Sequence, residues 1–503
     1  MIRFALLATF VGLNCTGVAR AVTAYVITNP NPTDDDYQYK GHVENLHVVL
    51  DLLRNDCDVE WLESVEYNGK RKPIRRGDYL VSMSQPRAML ARVIVESLPE
   101  ERRETLCGRV TTKGYLLEYP RILVDAHLWA GNYYWYYDTL LRGRFAFEHL
   151  HEHDEKSFDR KRYNLFVVPG GGGRIPSDYN ELLNQFVKEG GNYLGSCWGC
   201  AQAIHPSKVS YGSGNGAGIA DATNNEITRS FGALGGVGHV VLDNKAPDHP
   251  IMWDLPKEIH NIYWNGPVMK PGKFSTQLAT LKSVVVDDFR FHSRSEKQRK
   301  QDAEEEYGKC LYLTSHRPGQ GRVTVFGNHP EASDGVNPFR AHAMGFKATC
   351  NAILYSIARS RRQDTINPPQ TKPADIEHPV GFSQQSAEPV RKVASRLQTL
   401  VATKFVPVAR QLSEDHHSGF YLLRVNAALA NLARCQTCTA EWATRATVDL
   451  RDLERRLRAI DASAIRQRRA TTWHQVVCPT FERSIEMTLF ERDLKYYEKL
   501  GAE

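Results

Sequence analysis

After its first 21 residues the chain contains no apolar run that approaches the roughly 20 residues a membrane-spanning helix needs. It also has little excess charge, because 64 Lys and Arg face 58 Asp and Glu and leave a net charge of +6. With 42% apolar and 24% charged residues, the composition excludes wholesale disorder and a polytopic membrane protein. We therefore expect no membrane span and no nucleic acid partner.

The N-terminus has the pattern of an export signal. Arg3 precedes the apolar residues 4–13, and Ala19-Arg20-Ala21 resembles a small-x-small cleavage site. We expect residues 1–21 to be a signal peptide and the protein to be exported to the periplasm or outside the cell. The alternative is that these residues form a buried strand.

A length of 503 residues is too great for one core and predicts several domains. Residues 22–120 mix strand and helix patterns and form an α/β segment of unclear role. Residues 121–360 alternate short apolar runs with helical segments, which predicts an α/β fold with a mostly parallel sheet and helices on both faces. Residues 361–388 are rich in proline and are predicted to be a linker, and residues 389–503 a C-terminal all-α helical domain.

A cysteine stands at a predicted strand-to-helix junction. Gly195-Ser196-Cys197-Trp198-Gly199 follows the strand-like residues 192–194 and precedes a helical pattern. A nucleophile on so sharp a turn needs small neighbours, and the glycines supply them. The N-terminus of the following helix would also stabilise a thiolate there. The sequence therefore predicts Cys197 as a nucleophile.

A histidine and a carboxylate follow a later strand. His329 and Glu331 come directly after the strand-like residues 322–326. A histidine at the carboxyl end of one strand can reach a nucleophile at the end of a neighbouring strand, and Glu331 can hold the imidazole in the required tautomer. Cys197, His329 and Glu331 are therefore the predicted catalytic residues.

A glycine run ends the strand-like residues 165–168 and supplies a candidate oxyanion hole. Backbone N–H groups of Gly171 and Gly172, together with that of Trp198, can donate to a developing oxyanion. We therefore predict these three residues as oxyanion donors.

These motifs resemble a known family. Residues 193–201 (YLGSCWGCA), 167–173 (VVPGGGG) and 321–331 (GRVTVFGNHPE) are similar to the nucleophile elbow, oxyanion loop and His-Pro-Glu strand of class I glutamine amidotransferases. Residues 263–267 (YWNGP) add a closer likeness to the domain at the N-terminus of some biotin–protein ligases. The resemblance covers residues 121–360. It implies a flavodoxin-like three-layer sandwich, with Cys197 as nucleophile, His329 as base and Glu331 as orienting acid.

The same resemblance guides the prediction of the substrate pocket. Asn265, Gly266 and Pro267 belong to the YWNGP run, and we assign them to the pocket. Tyr134 belongs to an aromatic cluster at 129–137, which forms either the floor of that pocket or a packed corner of the core. The sequence carries no recognisable synthase or biotin-ligase module, so we expect a small-molecule or peptide-like substrate rather than glutamine hydrolysis for biosynthesis.

The leading hypothesis is an exported cysteine hydrolase of an amide or related acyl bond, with no cofactor and no metal. Cys200 follows Cys197 at the CxxC spacing, so a redox pair or a silencing disulfide is an alternative. The alternative function is a non-catalytic ligand-binding or redox-switched module. Residues 391–503 hold the basic surplus of the chain, and this predicted helical domain is a candidate surface for a protein partner.

Overall fold

The structure of this chain, a computed structural model, consists of two β-sheets with helices packed against them and a helical C-terminal part. It describes residues 21–30, 40–71, 74–125, 136, 139–140, 142–150, 160–170, 177–204, 216–224, 236–264, 266–285, 290–291, 301, 304–332, 338–368, 385–407, 426, 429–430, 432–434, 437–438, 440–459, 492, 496 and 499.

The first sheet has seven strands in the described residues and is antiparallel at every pairing. Six of its strands come from the predicted segment 22–120, and the seventh returns from far along the chain. The strands are β1 (Ala24–Ile27), β2 (Val59–Tyr67), β3 (Lys70–Arg71), β4 (Tyr79–Ser82), β5 (Arg103–Leu106), β6 (Val110–Leu117) and β19 (Ala358–Ile366).

The second sheet has twelve strands in the described residues and carries the predicted catalytic motifs. Its strands are β7 (Ile122–Asp125), β8 (Phe147–Leu150), β9 (Leu165–Val168), β10 (Asn192–Ser196), β11 (Ala222–Asn224), β12 (Gly236–Asn244), β13 (Glu258–Trp264), β14 (Met269–Pro271), β15 (Ser275–Val284), β16 (Arg290–Phe291), β17 (Cys310–His316) and β18 (Arg322–Phe326).

This second sheet is mixed, so the prediction of a mostly parallel sheet was wrong. The strands β8, β7, β9, β10 and β18 pair in parallel, in that order, whereas β17, β15, β12 and β13 continue the sheet in antiparallel pairings. The connection between β17 and β18 spans only residues 317–321. So short a connection joins antiparallel strands, because a parallel pair needs a crossover of about a dozen residues or more.

The helices cover both faces of the parallel strands. Residues of β9 alternate between two cores: Leu165 and Val167 face the core that contains the long helix α5 (Pro338–Ile357), and Phe166 and Val168 face the core that contains α3 (Ser177–Lys188). Burial on both faces explains the continuous apolar runs of these strands. The helices are α1 (Lys40–Arg54), α2 (Ala88–Val95), α3 (Ser177–Lys188), α4 (Trp198–Ala203), α5 (Pro338–Ile357), α6 (Glu388–Leu400) and α7 (Ala440–Ala459).

The two sheets share one hydrophobic core, so packing does not stop at residue 120. Trp61 of β2 meets Trp253 with ring centroids 4.7 Å apart, and Phe346 of α5 lies in the same cluster as residues of β1 and β2.

The predicted linker began at residue 361, but residues 361–366 lie in β19, which pairs with β6. The side chains of β19 are almost all exposed, so no apolar alternation marks this strand, and its pairing with β6 defines it.

The C-terminal helices have a separate core. Leu450, Leu453 and Leu457 lie on one side of α7 and are buried in this core together with residues of α6 and of the π-helical turn Val401–Phe405. Two short strands, β20 (Gln385–Ser386) and β21 (Thr437–Cys438), also pair in this part, so the described residues here are not wholly α-helical.

Arg492 and Tyr496, near the C-terminus, contact helix α1. Arg492 Nε and the Tyr496 hydroxyl each donate to Asp51 Oδ2 of α1 at 2.8 Å. The helices that the structure describes include none that is both long enough and apolar enough to span a bilayer.

The separate helical core leads to a stability prediction. Leu453→Ala should lower the free energy of unfolding of the C-terminal helices by about 2–5 kcal/mol, because it leaves a cavity in that core. Chemical denaturation followed by circular dichroism measures this loss. The matched control is Val448→Ala in the same helix, whose side chain is 60% exposed and which should change stability by less than about 0.5 kcal/mol. Equal effects of the two variants would contradict the assignment.

Candidate active site

Cys197 occupies the turn between the parallel strand β10 and helix α4. Its backbone dihedrals are φ 50° and ψ −104°, a conformation that non-glycine residues rarely adopt. The flanking Gly199 has no room for a side chain, since an added Cβ would lie 2.0 Å from Val168 O. Cys197 N donates to Phe326 O of β18 at 2.8 Å. The turn is therefore strained, and the neighbouring strands hold it in place.

His329 and Glu331 follow β18, the strand beside β10. His329 N donates to Ile262 O at 2.9 Å, which fixes this loop against β13. His329 Nδ1 lies 2.9 Å from Glu331 Oε1, and both side chains are fully buried. The carboxylate accepts a hydrogen bond from the Nδ1–H group, so it orients the imidazole and leaves Nε2 on the other side of the ring.

Gly170 shows how close the cysteine and the histidine are. A Cβ added to Gly170 would lie 2.3 Å from His329 Cε1 and 3.2 Å from Cys197 Cβ, so both side chains pack against this one glycine. The ring of His329 also interacts with the thiol of Cys197. The structure therefore brings Cys197, His329 and Glu331 together at the ends of neighbouring strands.

The pKa of His329 reflects these neighbours. Burial by itself lowers the pKa of His329, but the charges of Cys197 and Glu331 and hydrogen bonds to both act in the opposite direction and raise it to about 10. The imidazole is therefore held as a cation beside the carboxylate of Glu331.

The loop after β13 closes over the cysteine. Cys197 Sγ donates to Trp264 O at 3.2 Å. Gly266 packs so closely that an added Cβ would lie 1.8 Å from Gly327 O and 3.3 Å from Cys197 Cα. Pro267 is also buried here. Of the predicted pocket residues, Gly266 therefore packs against the backbone of Cys197, and Pro267 packs against Gly327.

Below the turn, Ser196 anchors an aromatic ring. The hydroxyls of Ser196 and Tyr136 lie 2.5 Å apart, and Tyr136 is fully buried. Burial, and then the charge of Glu331, raise the pKa of Tyr136 well above its usual value, so the phenol stays neutral. Tyr136 is the member of the aromatic cluster described here, and it is part of the packed core.

Cys200 points away from the candidate site. Both Cys197 and Cys200 are free thiols, and Cys200 Sγ contacts Met269 Sδ at 3.4 Å inside the core. Burial raises the pKa of Cys200 well above its usual value. Its surroundings are those of an inert structural thiol rather than of a reactive one.

The remaining predicted residues divide into two groups. Trp198 is the first residue of α4 and is buried beside Cys197. Four others lie outside the described residues: Gly171, Gly172, Asn265 and Tyr134.

The structure also reveals neighbours of the thiol that sequence reasoning missed. These are Gly170, the carbonyl of Trp264 and the Ser196–Tyr136 pair. The glycine run predicted close packing at the end of β9, but only the structure identifies Gly170 as the residue that packs against both Cys197 and His329. The other contacts join segments far apart in sequence and leave no local signal.

Comparisons with known proteins give no family assignment. No family model matches the chain, and no curated protein matches it. Solved structures with some likeness include a glutamine amidotransferase from Thermotoga maritima, 12% identical over 47% of this chain and 96% of that one, with a TM-score of 0.29. A ThuA-like protein from Parabacteroides merdae is 16% identical over 48% of this chain and 92% of that one, with a TM-score of 0.30.

A cytoplasmic protein from Salmonella typhimurium is 12% identical over 48% of this chain and 100% of that one, with a TM-score of 0.30. None of the three is a biotin–protein ligase, so that part of the resemblance stays a prediction. Superpositions this weak carry no argument about what the chain does, which rests on its own geometry.

The raised pKa of His329 predicts how stability depends on pH. The protonated His329 ring stabilises the folded protein. This contribution is fully present below the ordinary histidine pKa of about 6.5 and is lost as pH rises through the folded value of about 10. Urea unfolding of the wild type and of His329→Gln should therefore differ most near pH 6, and the difference should shrink toward pH 10. A difference that grows with pH would contradict the cationic imidazole.

The packing of Gly170 predicts a clash that depends on His329. Gly170→Ala should lower the free energy of unfolding by about 1–3 kcal/mol, because the new Cβ forces the His329 ring to move. In a His329→Ala background the ring is gone, so the same substitution should cost less. Denaturation of the four proteins of this double-mutant cycle measures the coupling. Strictly additive costs would mean that Gly170 does not pack against the ring.

Proposed function

We propose that this protein is a cysteine-dependent hydrolase of an amide or related acyl bond. The observation that carries the proposal is the strained Cys197 turn beside a His329 ring that is oriented by Glu331. Strained backbone of this kind clusters at functional sites. A nucleophile, a base within reach and a group that orients the base are together the minimal set for covalent catalysis of acyl transfer.

In the proposed reaction the thiolate of Cys197 attacks the carbonyl carbon of the substrate. His329 holds the proton of the thiol and gives it to the leaving group as the carbon–nitrogen bond, or the corresponding acyl bond, breaks. A water molecule then loses a proton to His329, attacks the thioester and releases the acid. The thiol is regenerated when His329 returns that proton.

We propose that backbone N–H groups hold the oxyanion of both steps. Trp198, at the start of α4, is one candidate donor, and Gly171 and Gly172 are the others. Gly266 and Pro267, together with Asn265 and Tyr134, are the candidate residues around the substrate. The substrate we propose is a small molecule or a peptide-like chain.

A second candidate is a ligand-binding module that has kept this arrangement without turnover. The observation that favours it is burial: Cys197 is only 3% exposed, and its thiol donates to Trp264 O. For hydrolysis, the end of β13 at Trp264 has to move away so that a carbonyl carbon can approach the sulfur. A site that stays closed would be chemically silent.

The finer sequence predictions remain part of this proposal. We propose that residues 121–360 form a flavodoxin-like sandwich related to the biotin–protein ligase N-terminal domain. We also propose that residues 1–21 direct export and that the basic helical region recruits a protein partner. The separate core of α6 and α7 supports an independent helical unit.

Alkylation of Cys197 tests the proposed nucleophile. In reduced protein near neutral pH, iodoacetamide should modify Cys197 at least about tenfold faster than Cys57 or Cys350, because burial raises the pKa of those two thiols to about 12. Peptide mass spectrometry measures the rate at each position. Alkylation of Cys197 no faster than that of Cys57 would favour the closed ligand-binding module.

Alkylation measures only the reactivity of the thiol, whereas hydrolysis of p-nitrophenyl acetate measures catalytic turnover. His329→Ala should lower the hydrolysis rate by about 10²–10⁴-fold, because the proton carrier is removed. The matched control is His249→Ala, which removes a half-buried histidine outside the candidate site. A rate that falls equally in both variants, or that survives Cys197→Ser, would overturn the hydrolase proposal.

A further inference from the structure

A cleft lies on the first sheet, at the ends of β2, β4 and β19. Its volume is about 460 Å³, within the range of small-molecule sites. Glu60 of β2 stands in register with Leu80 of β4 and Leu116 of β6, so these three side chains share the face that forms the floor. No residue of this cleft belongs to the candidate active site.

Glu60 is a buried carboxyl group with half of its hydrogen bonding unmet. Its side chain is 3% exposed, and Oε2 accepts from the Thr112 hydroxyl at 2.8 Å. Glu60 Oε1, in contrast, has no hydrogen-bond partner among the residues that the structure describes. A buried acceptor in this state costs free energy until a donor reaches it.

Two side chains that line the cleft, Gln85 and Arg362, have partners of their own. Gln85 Nε2 donates to Ser82 O at 2.7 Å and to Asp58 O at 3.3 Å. The guanidinium of Arg362 is 41% exposed at the rim and lies 3.8 Å from Asp364. Glu60 Oε1 therefore lacks a donor among the described residues, although its side chain lines the cleft.

The charges around the cleft indicate the sign of that donor. Three carboxyl groups line it, Asp58, Glu60 and Asp364, against the single cation Arg362. The acidic excess favours a positively charged group and disfavours an anion. Burial also raises the pKa of Glu60, and a bound cation would offset that effect and stabilise the carboxylate.

We propose that this cleft binds a small molecule through a primary ammonium group that donates to Glu60 Oε1. Hydroxyl or carbonyl groups elsewhere in the ligand would meet Ser82, Ser84 and Asn367 around the rim. A charge-assisted hydrogen bond inside a buried cleft is the strongest single contact that the site offers. The site is independent of the chemistry proposed for Cys197.

Calorimetric titration of the full-length chain with 1,4-diaminobutane tests the proposal. The diamine should bind, and the neutral isostere butane-1,4-diol should bind at least about tenfold more weakly, because it brings no charge to Glu60. Glu60→Gln keeps the shape and the acceptor for Thr112 but removes the charge, and should weaken diamine binding by about tenfold or more. Cys197→Ala should leave it unchanged.

A variant with the opposite expected sign keeps the test decisive if Glu60→Gln does not fold. Arg362→Gln removes the exposed cation at the rim and should strengthen diamine binding several-fold, because the cleft becomes more acidic. Diol binding equal to that of the diamine, absence of diamine binding in the millimolar range, or weaker diamine binding in Arg362→Gln would each overturn the ammonium assignment.

Discussion

The strained backbone at Cys197 is the constraint on which the candidate site depends. A non-glycine residue at φ 50° and ψ −104° costs of the order of 1–3 kcal/mol and persists only where the surrounding structure over-determines it. Here β10 lies between β9 and β18, and the Cys197 N–H donates to Phe326 O. Gly195 and Gly199 let the strand and α4 approach closely. Sheet pairing therefore holds the thiol at the strand end.

Buried charge is the second constraint. His329 and Glu331 form a pair away from solvent, where removal of one partner leaves an uncompensated charge and costs several kcal/mol. Glycines make this possible, since Gly170 faces the ring and Gly266 faces the turn, and neither position has space for a side chain. Burial of the His329–Glu331 pair, which orients the imidazole, therefore requires glycine at both Gly170 and Gly266.

Glu331 and Glu60 are both buried carboxyl groups, and each has one oxygen with a described hydrogen-bond partner. In the candidate active site Glu331 Oε1 accepts a hydrogen bond from Nδ1 of His329, two residues earlier in the chain. In the first sheet Glu60 Oε2 accepts from the Thr112 hydroxyl across the strands, and the proposed ligand would donate to Oε1. The residues that surround Glu60 come from β2, β4 and the returning strand β19, so this cleft exists only because the chain comes back to the first sheet after α5.

Local chemistry determined the parts of this protein that the sequence could predict. Apolar runs bounded by glycine predicted β9, β10 and β18, and small residues around Cys197 predicted a turn between a strand and a helix. The α/β class followed from these, and so did the candidate residues Cys197, His329 and Glu331. Tertiary structure alone decided the antiparallel half of the second sheet, the membership of β19 in the first sheet and the contacts of Gly170, Trp264 and Glu60. These depend on pairing and packing between segments far apart in the chain, and hydrogen bonds and van der Waals contacts of that kind leave no periodic pattern in either partner.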